Sequence, residues 1–306
     1  MLKKTLARPE IRKVIHSKLD NTIKYVYRSQ GQIIEFSYID KKDSKDIICA
    51  STQTSCRLGC KFCFLSDYDL AVRNLSPEEI VGPISEIVDG LPSRNDVLLI
   101  SFMGCGEPLL NLDNVIESAK QIIERYSGIY KVVRFAVATL IPHPKLMEKF
   151  IRLVHEEKVP MKLHLSLHSP DDERRKVIMP SAYPVRESIS FVEEFMRKTG
   201  GSSEVHYALM DGVNDRDEDL GALISLLEGR NIPVKFLIYN KKPSVDFTPS
   251  KRVKTFRTYL EHFDIKTEFY VPPGGDIGSS CGQFLMEDYA RYNAKKKRSV
   301  KNKKAK

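Results

Sequence analysis

The chain of 306 residues lacks three features that would place it in a membrane or outside the cell. It has no apolar run of about 18 residues or more, so no transmembrane helix is expected. Its basic N-terminus has no apolar core of the kind found in secretory signals. It has only six cysteines, which disfavours a disulfide framework in a chain of this length. These absences predict a cytoplasmic protein with reduced thiols and no contact with a membrane.

Acidic residues are also absent from the C-terminal segment. Lys and Arg number 49 against 40 acidic residues, a formal net charge of +9. Residues 291–306 contain no acid and hold the whole basic excess, so residues 1–290 are formally neutral. We expect 291–306 to be a disordered basic tail. Such a tail is either simply solvated or binds nucleic-acid phosphates by releasing counterions.

The order of apolar segments predicts an α/β protein. Residues 1–28 have a helical pattern, and beyond them strands and helices alternate. Such alternation is typical of parallel sheets that are closed or partly closed into a barrel. The predicted strands are 32–40, 46–54, 96–103, 131–139, 162–167, 204–209, 233–239 and 267–271. The predicted helices after the first are 76–90, 112–126, 145–157, 170–178, 185–198, 216–228 and 250–263. We divide the chain into an N-terminal extension (1–45), the barrel (46–290) and the tail (291–306).

Three cysteines in a short loop are the strongest signal of chemistry. Cys56, Cys60 and Cys63 stand in the segment CRLGCKFC, directly after a predicted strand. Thiolates are the soft ligands that iron–sulfur clusters take. A structural zinc site needs four ligands, and no fourth Cys or His lies within a few residues. The motif therefore predicts one 4Fe–4S cluster with one iron open to another molecule.

Polar residues that suit a small ligand follow three other predicted strands, at the face where βα barrels build active sites. In MGCGEPLLN, Gly106 permits close approach to the backbone and Glu107 can accept from an ammonium group, although a tight turn would explain both. In SLHSPDDER, Ser166 and His168 can hydrogen-bond a ribose or a carboxylate, whereas a lone His is often structural. Asn240 is a weaker signal of the same kind.

Cys281 lies in a loop of small residues, GGDIGSSCGQF. A thiol in such a flexible, exposed segment suits a nucleophile better than a core filler. Cys49 is the other cysteine left once the three cluster ligands and Cys105 are set aside. A reaction that carries a group on one thiol and releases it with another would use both, but Cys49 also suits a small buried strand residue.

Taken in order, these motifs and DGVND (211–215) resemble the RlmN/Cfr family of radical S-adenosylmethionine (SAM) methyltransferases, which methylate adenosine in RNA. The resemblance covers about residues 33–285. It implies a partial (β/α)6 TIM-like barrel, a 4Fe–4S cluster on Cys56, Cys60 and Cys63, and SAM as the second cofactor. It also implies an RNA substrate, ribosomal or transfer, an external electron donor such as flavodoxin or ferredoxin, and a monomer.

Residue roles are carried over by the same resemblance. Gly106, Glu107, Ser166, His168 and Asn240 match the family's contacts to SAM. In the family mechanism, one SAM methylates the position of Cys281, and a radical made from a second SAM activates that methyl group. The activated methyl group then adds to the adenine. Carbon 2 is favoured here over carbon 8 as the position of addition.

The release of the product is also implied by the resemblance. Cys49 matches the cysteine that resolves the RNA–protein crosslink by forming a disulfide. Glu35, in the context IIEF, matches the general base.

The chain departs from the family pattern at four places. Cys105 replaces a Met, and 138–141 (ATLI) replaces STSG. The segment Val271-Pro272-Pro273-Gly274 replaces KTRG, which removes two cations near the RNA. We also expect that the family's usual N-terminal RNA-binding accessory domain is missing ahead of the barrel. Two alternatives therefore stand beside the RNA methyltransferase: a radical SAM enzyme with a non-RNA substrate, and a non-catalytic iron–sulfur protein that binds RNA or senses redox state.

Deleting residues 291–306 is expected to weaken RNA binding, because nine cationic side chains would no longer displace counterions from phosphates. The loss should be largest at low salt and shrink as salt rises. Titrating the full-length and truncated proteins with the same RNA at several salt concentrations measures it. Equal affinities at low salt would show that the tail takes no part in binding.

Overall fold

One ten-stranded sheet forms the frame of the protein in the computed structural model, which describes residues 8–41 and 44–284. Its strands lie side by side in chain order. The three pairs from β1 to β4 are antiparallel, and the six pairs from β4 to β10 are parallel. The strands are β1 (Glu10–His16), β2 (Thr22–Ser29), β3 (Gln32–Lys41), β4 (Lys45–Ala50), β5 (Val97–Phe102), β6 (Val132–Thr139), β7 (Met161–Ser166), β8 (Ser203–Leu209), β9 (Val234–Ile238) and β10 (Thr267–Tyr270).

Seven α-helices connect the strands within the described residues. They are α1 (Pro77–Asp89), α2 (Leu112–Tyr126), α3 (Pro144–Glu156), α4 (Asp172–Ile178), α5 (Val185–Thr199), α6 (Asp217–Leu227) and α7 (Val253–His262). Local chemistry sets where α1 begins. The Ser76 side chain accepts from the backbone N–H of Glu79, the Glu79 carboxylate accepts from the Ser76 N–H, and Pro77 takes the first helical position.

The parallel strands curve into a barrel that stays open, as predicted. β1 and β10 are the two edges of the sheet and do not pair with each other among the described residues. The main apolar core lies between the strands and the helices that cover them. It includes stacked ring pairs such as Phe102 with Phe135 and Phe150 with Phe195. The predicted strands and helices from residue 32 onward are confirmed to within a few residues.

The predicted helix over 1–28 is wrong for the part that the structure describes. Residues 10–16 and 22–29 form β1 and β2 instead. Along β2 (TIKYVYRS), buried and half-buried positions alternate from Thr22 to Val26, which is the period of a strand. Lysine side chains are usually solvated, but Lys24 is buried and forms an ion pair of 2.8 Å with Glu35 on β3.

The predicted domain division remains a prediction. β4 begins at Lys45, the predicted boundary, yet β3 pairs with β4 without a break in the sheet. The basic tail, 291–306, lies outside the described residues. No helix in the described part of the chain is long and apolar enough to span a membrane.

Asp46, near the start of β4, ties the antiparallel strands to the barrel. Its buried carboxylate accepts hydrogen bonds from the hydroxyls of Tyr38 (3.0 Å) and Tyr130 (2.9 Å). It also accepts from the backbone N–H (2.9 Å) and the side-chain amide (2.8 Å) of Asn95. One carboxylate therefore connects β3, the loop before β5 and the segment before β6.

We expect Asp46→Ala to lower the free energy of unfolding by about 3 kcal/mol, because several buried donors would lose their acceptor. Urea denaturation measures the change. Asp96→Ala is the matched control, since its ion pair with Lys131 is exposed and should contribute at most about 1 kcal/mol. Equal effects of the two substitutions would show that the Asp46 network does not hold these elements together.

Candidate active site

The three-cysteine loop follows β4 and is held from three sides. Lys61 N–H donates to the carbonyl of Ile178 (2.8 Å), and Phe64 N–H donates to that of Gly282 (2.9 Å). The Lys242 ammonium is buried, donates to the carbonyl of Cys63 (3.0 Å) and forms an ion pair with Asp67 (2.8 Å). These contacts join the loop to segments that are distant in sequence, including the loop that carries Cys281.

Cys56, Cys60 and Cys63 line a single cavity, which we call the cysteine cavity; Glu107 and His168 also line it. Burial raises the pKa of each of the three thiols, that of Cys63 to about 12. Repulsion between neighbouring thiolates raises the pKa of Cys60 further. Bound iron would remove both penalties, because a thiol that coordinates a metal is deprotonated. Three converging soft donors therefore fit a 4Fe–4S cluster.

The turn after β5 is so tight that it needs glycine. A Cβ at Gly104 would lie 2.6 Å from the backbone nitrogen of Ser51. Gly106 has a φ of +105°, and a Cβ there would lie 2.6 Å from the Cβ of Gln53. This close approach brings the turn against the start of the cysteine loop and delivers Glu107 into the cysteine cavity.

Glu107 is buried, and its carboxylate accepts from the backbone N–H groups of Leu109 (3.1 Å) and Leu140 (3.4 Å). Burial raises the pKa of Glu107 to about 7, although hydrogen bonds from Thr139 and the backbone work in the opposite direction. A carboxylate in this environment is stabilised by a cationic ligand group such as an ammonium. Thr139 belongs to the altered segment 138–141, so that segment still supports Glu107.

His168 has its tautomer set by the backbone. Its Nδ1 accepts from the N–H of Ala208 (2.9 Å), so Nε2 carries the proton of the neutral ring. Burial lowers the pKa of His168 to about 3, which keeps the ring neutral. Ser166 lines the cysteine cavity beside it. Both side chains are therefore positioned to hydrogen-bond a ligand there.

Cys281 lines the cysteine cavity and also a second cavity of about 740 Å³, which we call the barrel cavity. The barrel cavity is also lined by Cys49, Arg134, His164 and Tyr270. Cys281 is accessible because both cavities open onto it, but the surrounding protein raises the pKa of its thiol to about 11. Burial raises the pKa of Cys49 to about 12. Asn240 donates from its side-chain amide to the carbonyl of Cys281 (2.9 Å).

All six cysteines are free thiols. The expected disulfide between Cys49 and Cys281 is therefore not present in the structure. Cys105 is buried and lines neither cavity, as suits an apolar substitute for Met.

Glu35 is the predicted site residue that the structure does not bring to either cavity. Its buried carboxylate is paired with Lys24, whose ammonium also donates to the carbonyl of Gly278 (3.0 Å). Glu35 is therefore linked to the Cys281 loop through Lys24. Its assignment as a general base remains a prediction.

Three groups near the site were not singled out from the sequence. Lys242 holds the cysteine loop, but its context, NKKP, has the appearance of a solvated turn. Arg175 is buried and donates to the carbonyls of Ser166 (3.1 Å) and Leu167 (3.1 Å) at the end of β7. The third group is His164, Glu204 and His206, which cluster on the barrel wall. Residues on different strands give no sequence signal of such a cluster.

Comparison with known proteins agrees with this geometry. The model of the radical SAM superfamily matches residues 51–224. A crystal structure of a radical SAM methyltransferase from Sphaerobacter thermophilus superposes with a TM-score of 0.81 and 27% identity, covering 92% of this chain and 82% of that one. Methylornithine synthase shares the fold, with a TM-score of 0.50 and 13% identity over 73% of this chain and 63% of that one.

Curated relatives are more specific. The probable dual-specificity RNA methyltransferase RlmN of Clostridioides difficile (strain 630) is 34% identical over 277 residues, which are 88% of this chain and 77% of the relative. The dual-specificity RNA methyltransferase RlmN of Syntrophobacter fumaroxidans is 34% identical over 273 residues, with 88% and 78% covered.

The open barrel and its three converging thiols define an enzyme of the radical SAM superfamily. Within that superfamily, the chain belongs to the RlmN/Cfr family.

The raised pKa of Glu107 predicts a specific pH dependence of stability. The folded-state pKa of about 7 lies above the unfolded value of about 4.3, so the folded state binds the extra proton between them. Wild-type stability should therefore fall by about 1.4 kcal/mol per pH unit from about pH 5 to 7 through this group. Glu107→Gln removes that loss.

Urea denaturation from pH 5 to 8 tests this prediction. The unfolding free energy of Glu107→Gln minus that of the wild type should rise with pH up to about pH 7 and then level off. Glu117→Gln, on the exposed face of α2, is the control and should show no such trend. A pH-independent difference for Glu107→Gln would mean that the carboxyl ionises normally.

Proposed function

We propose that this protein methylates an adenine base of RNA, ribosomal or transfer, at carbon 2 in preference to carbon 8, by way of a methylated cysteine. The observation that carries the proposal is the position of Cys281 between the two cavities. The cysteine cavity has the residues for cofactors, and the barrel cavity has space for a substrate. A carrier thiol needs access to both. The RNA substrate is supported by the names of the curated relatives.

The cofactors are assigned to residues of the cysteine cavity. Cys56, Cys60 and Cys63 would hold the 4Fe–4S cluster, and Gly106, Glu107, Ser166, His168 and Asn240 would hold SAM. The reduced cluster, when bound, supplies the electron for homolytic cleavage of SAM. Glu107 would pair with the ammonium group of SAM, and the Nε2 proton of His168 would be donated to a ribose or carboxylate oxygen. Burial of these groups excludes water from a reactive intermediate.

Cys281 is the proposed methyl carrier. Its thiol must lose a proton before it can attack a methyl group, and its pKa of about 11 makes that loss unfavourable at neutral pH. The nearby Lys235 ammonium lowers the pKa of Cys281 and so favours the thiolate. Its chain neighbours, Ser280 and Gly282, are small.

Cys49 is the proposed releasing thiol. It lines the barrel cavity together with Cys281, so both face the space assigned to the substrate. Its high pKa keeps the Cys49 thiol protonated at neutral pH. An external electron donor such as flavodoxin or ferredoxin, a monomeric state and a cytoplasmic location accompany this proposal as predictions.

Two cysteine variants test the function with anaerobically purified, cluster-loaded protein. In the wild type, incubation with SAM should add a methyl group to the peptide that holds Cys281, detected by mass spectrometry. Cys281→Ala should reduce RNA methylation to below about one hundredth of wild type. Cys49→Ala should instead accumulate a covalent RNA–protein species, because the product cannot be released.

Cys105→Ala is the matched control, since Cys105 lines neither cavity. It should support methylation without a covalent species. An unmethylated Cys281 after incubation with SAM would contradict the carrier role. Full turnover by Cys49→Ala without a trapped species would remove Cys49 from the mechanism. Methylated Cys281 with no modified RNA would favour a different substrate.

A further inference from the structure

A buried group of polar side chains lies on the wall of the barrel cavity, away from the predicted cofactor residues. His164 lies on β7, and Glu204 and His206 lie on β8. His164 Nδ1 is 2.5 Å from His206 Nε2 and 3.0 Å from a Glu204 carboxylate oxygen. His206 Nε2 is 3.3 Å from the same oxygen. The carboxylate therefore fixes the orientation of both rings.

Two ammonium groups already compensate the charge of Glu204. Lys235 Nζ lies 2.6 Å from one carboxylate oxygen, and Lys162 forms an ion pair with the other. The ligand atoms of His164, Glu204 and His206 are within 4.8 Å of one another, close enough for a metal ion. A cation placed there would meet two neighbouring positive charges. The group is therefore better suited to orienting a side chain than to binding metal.

The group holds the His164 ring in one orientation and leaves one of its ring nitrogens without a hydrogen-bond partner among the described residues. That nitrogen, Nε2, is buried, and His164 lines the barrel cavity. Burial lowers the pKa of His164 to about 3, so the ring is neutral. A buried polar atom without a partner costs free energy. A ligand in the cavity with a hydrogen-bonding edge would supply that partner.

The opposite end of the same cavity has more cationic than acidic side chains, and Glu268, which also lines the cavity, is paired with Lys235. Lys45 is the first residue of β4 and Arg134 lies in the first half of β6, whereas Cys49 and Ala138 lie near the ends of those strands. Because parallel strands run in one direction, the two cations lie away from the cysteine cavity. Both are exposed and form no ion pair with another described residue. The cavity thus runs from free cations, past His164, to Cys49 and Cys281.

We propose that the barrel cavity binds the target nucleotide of the RNA, with His164 recognising the base through Nε2 and Arg134 and Lys45 binding its phosphate groups. This inference rests on the proposed function and deepens it, because it assigns the substrate side of the site. The volume of about 740 Å³ falls in the range of pockets that enclose small ligands. A base that enters such a pocket must be unpaired or flipped out of its helix.

Two RNA probes separate base recognition from phosphate binding. One is a short fluorescein-labelled oligouridine with one central adenosine, and the other carries an abasic site at that position. Fluorescence anisotropy measures their binding to anaerobic, cluster-loaded protein without reductant. The wild type should prefer the adenosine probe. His164→Ala should weaken that probe about fivefold and leave the abasic probe unchanged, because only a base contact is lost.

Arg134→Ala should weaken both probes alike, and more strongly at low salt, because it removes a phosphate contact. Arg134 is exposed, so this variant tests the cavity even if His164→Ala fails to fold. The matched controls are His155→Ala and Arg152→Ala on the outer face of α3, and neither should change binding. Circular dichroism of every variant verifies folding.

Several outcomes would overturn the inference. They are equal binding of the two probes by the wild type, an unchanged preference in folded His164→Ala, and unchanged binding by Arg134→Ala. A zinc ion that copurifies with the wild type and is lost in His164→Ala would show a metal site instead. Methylation of Cys281 in the wild-type preparation is measured separately. Its absence would refute the proposed function, whereas its presence with any of these outcomes would refute this inference alone.

Discussion

The parallel arrangement of β4 to β10 is the constraint on which the rest of the structure depends. Parallel strands deliver their ends to the same edge of the sheet, so segments far apart in the chain meet there. The cysteine loop follows β4, the Glu107 turn follows β5, His168 follows β7 and Asn240 follows β9. Reversing one strand would send the loop that follows it to the opposite edge of the sheet and remove its side chain from this cavity.

Buried ions then fix the loops at this edge. Lys242 is almost inaccessible and joins the cysteine loop to the segment after β9 through Asp67 and a carbonyl oxygen. Lys24 joins Glu35 to the loop of Cys281 in the same way. Burying a charge is costly unless it is paired and hydrogen-bonded, so these contacts define a narrow range of loop positions.

Sequence patterns predicted most of the regular structure because the parallel strands are short apolar runs separated by amphipathic helices. The predicted helix 76–90 agrees with α1 to within a residue at each end, and Ser76 caps its start. The N-terminal helix was wrong because the charges of β1 and β2 follow no clear period. Local pattern could not show that Lys24 is buried, since its partner Glu35 belongs to another strand.

The sequence by itself determined the three-cysteine motif, the glycine turn before Glu107 and the small-residue loop around Cys281, because each depends on residues close together in the chain. The tertiary structure alone decided that Cys281 lines both cavities and that Glu35 pairs with Lys24. It also decided that His164, Glu204 and His206 form one group. These relations depend on strand register and on which face of the sheet each side chain takes. Neighbouring strands come from separate parts of the chain, so no local pattern records how they align.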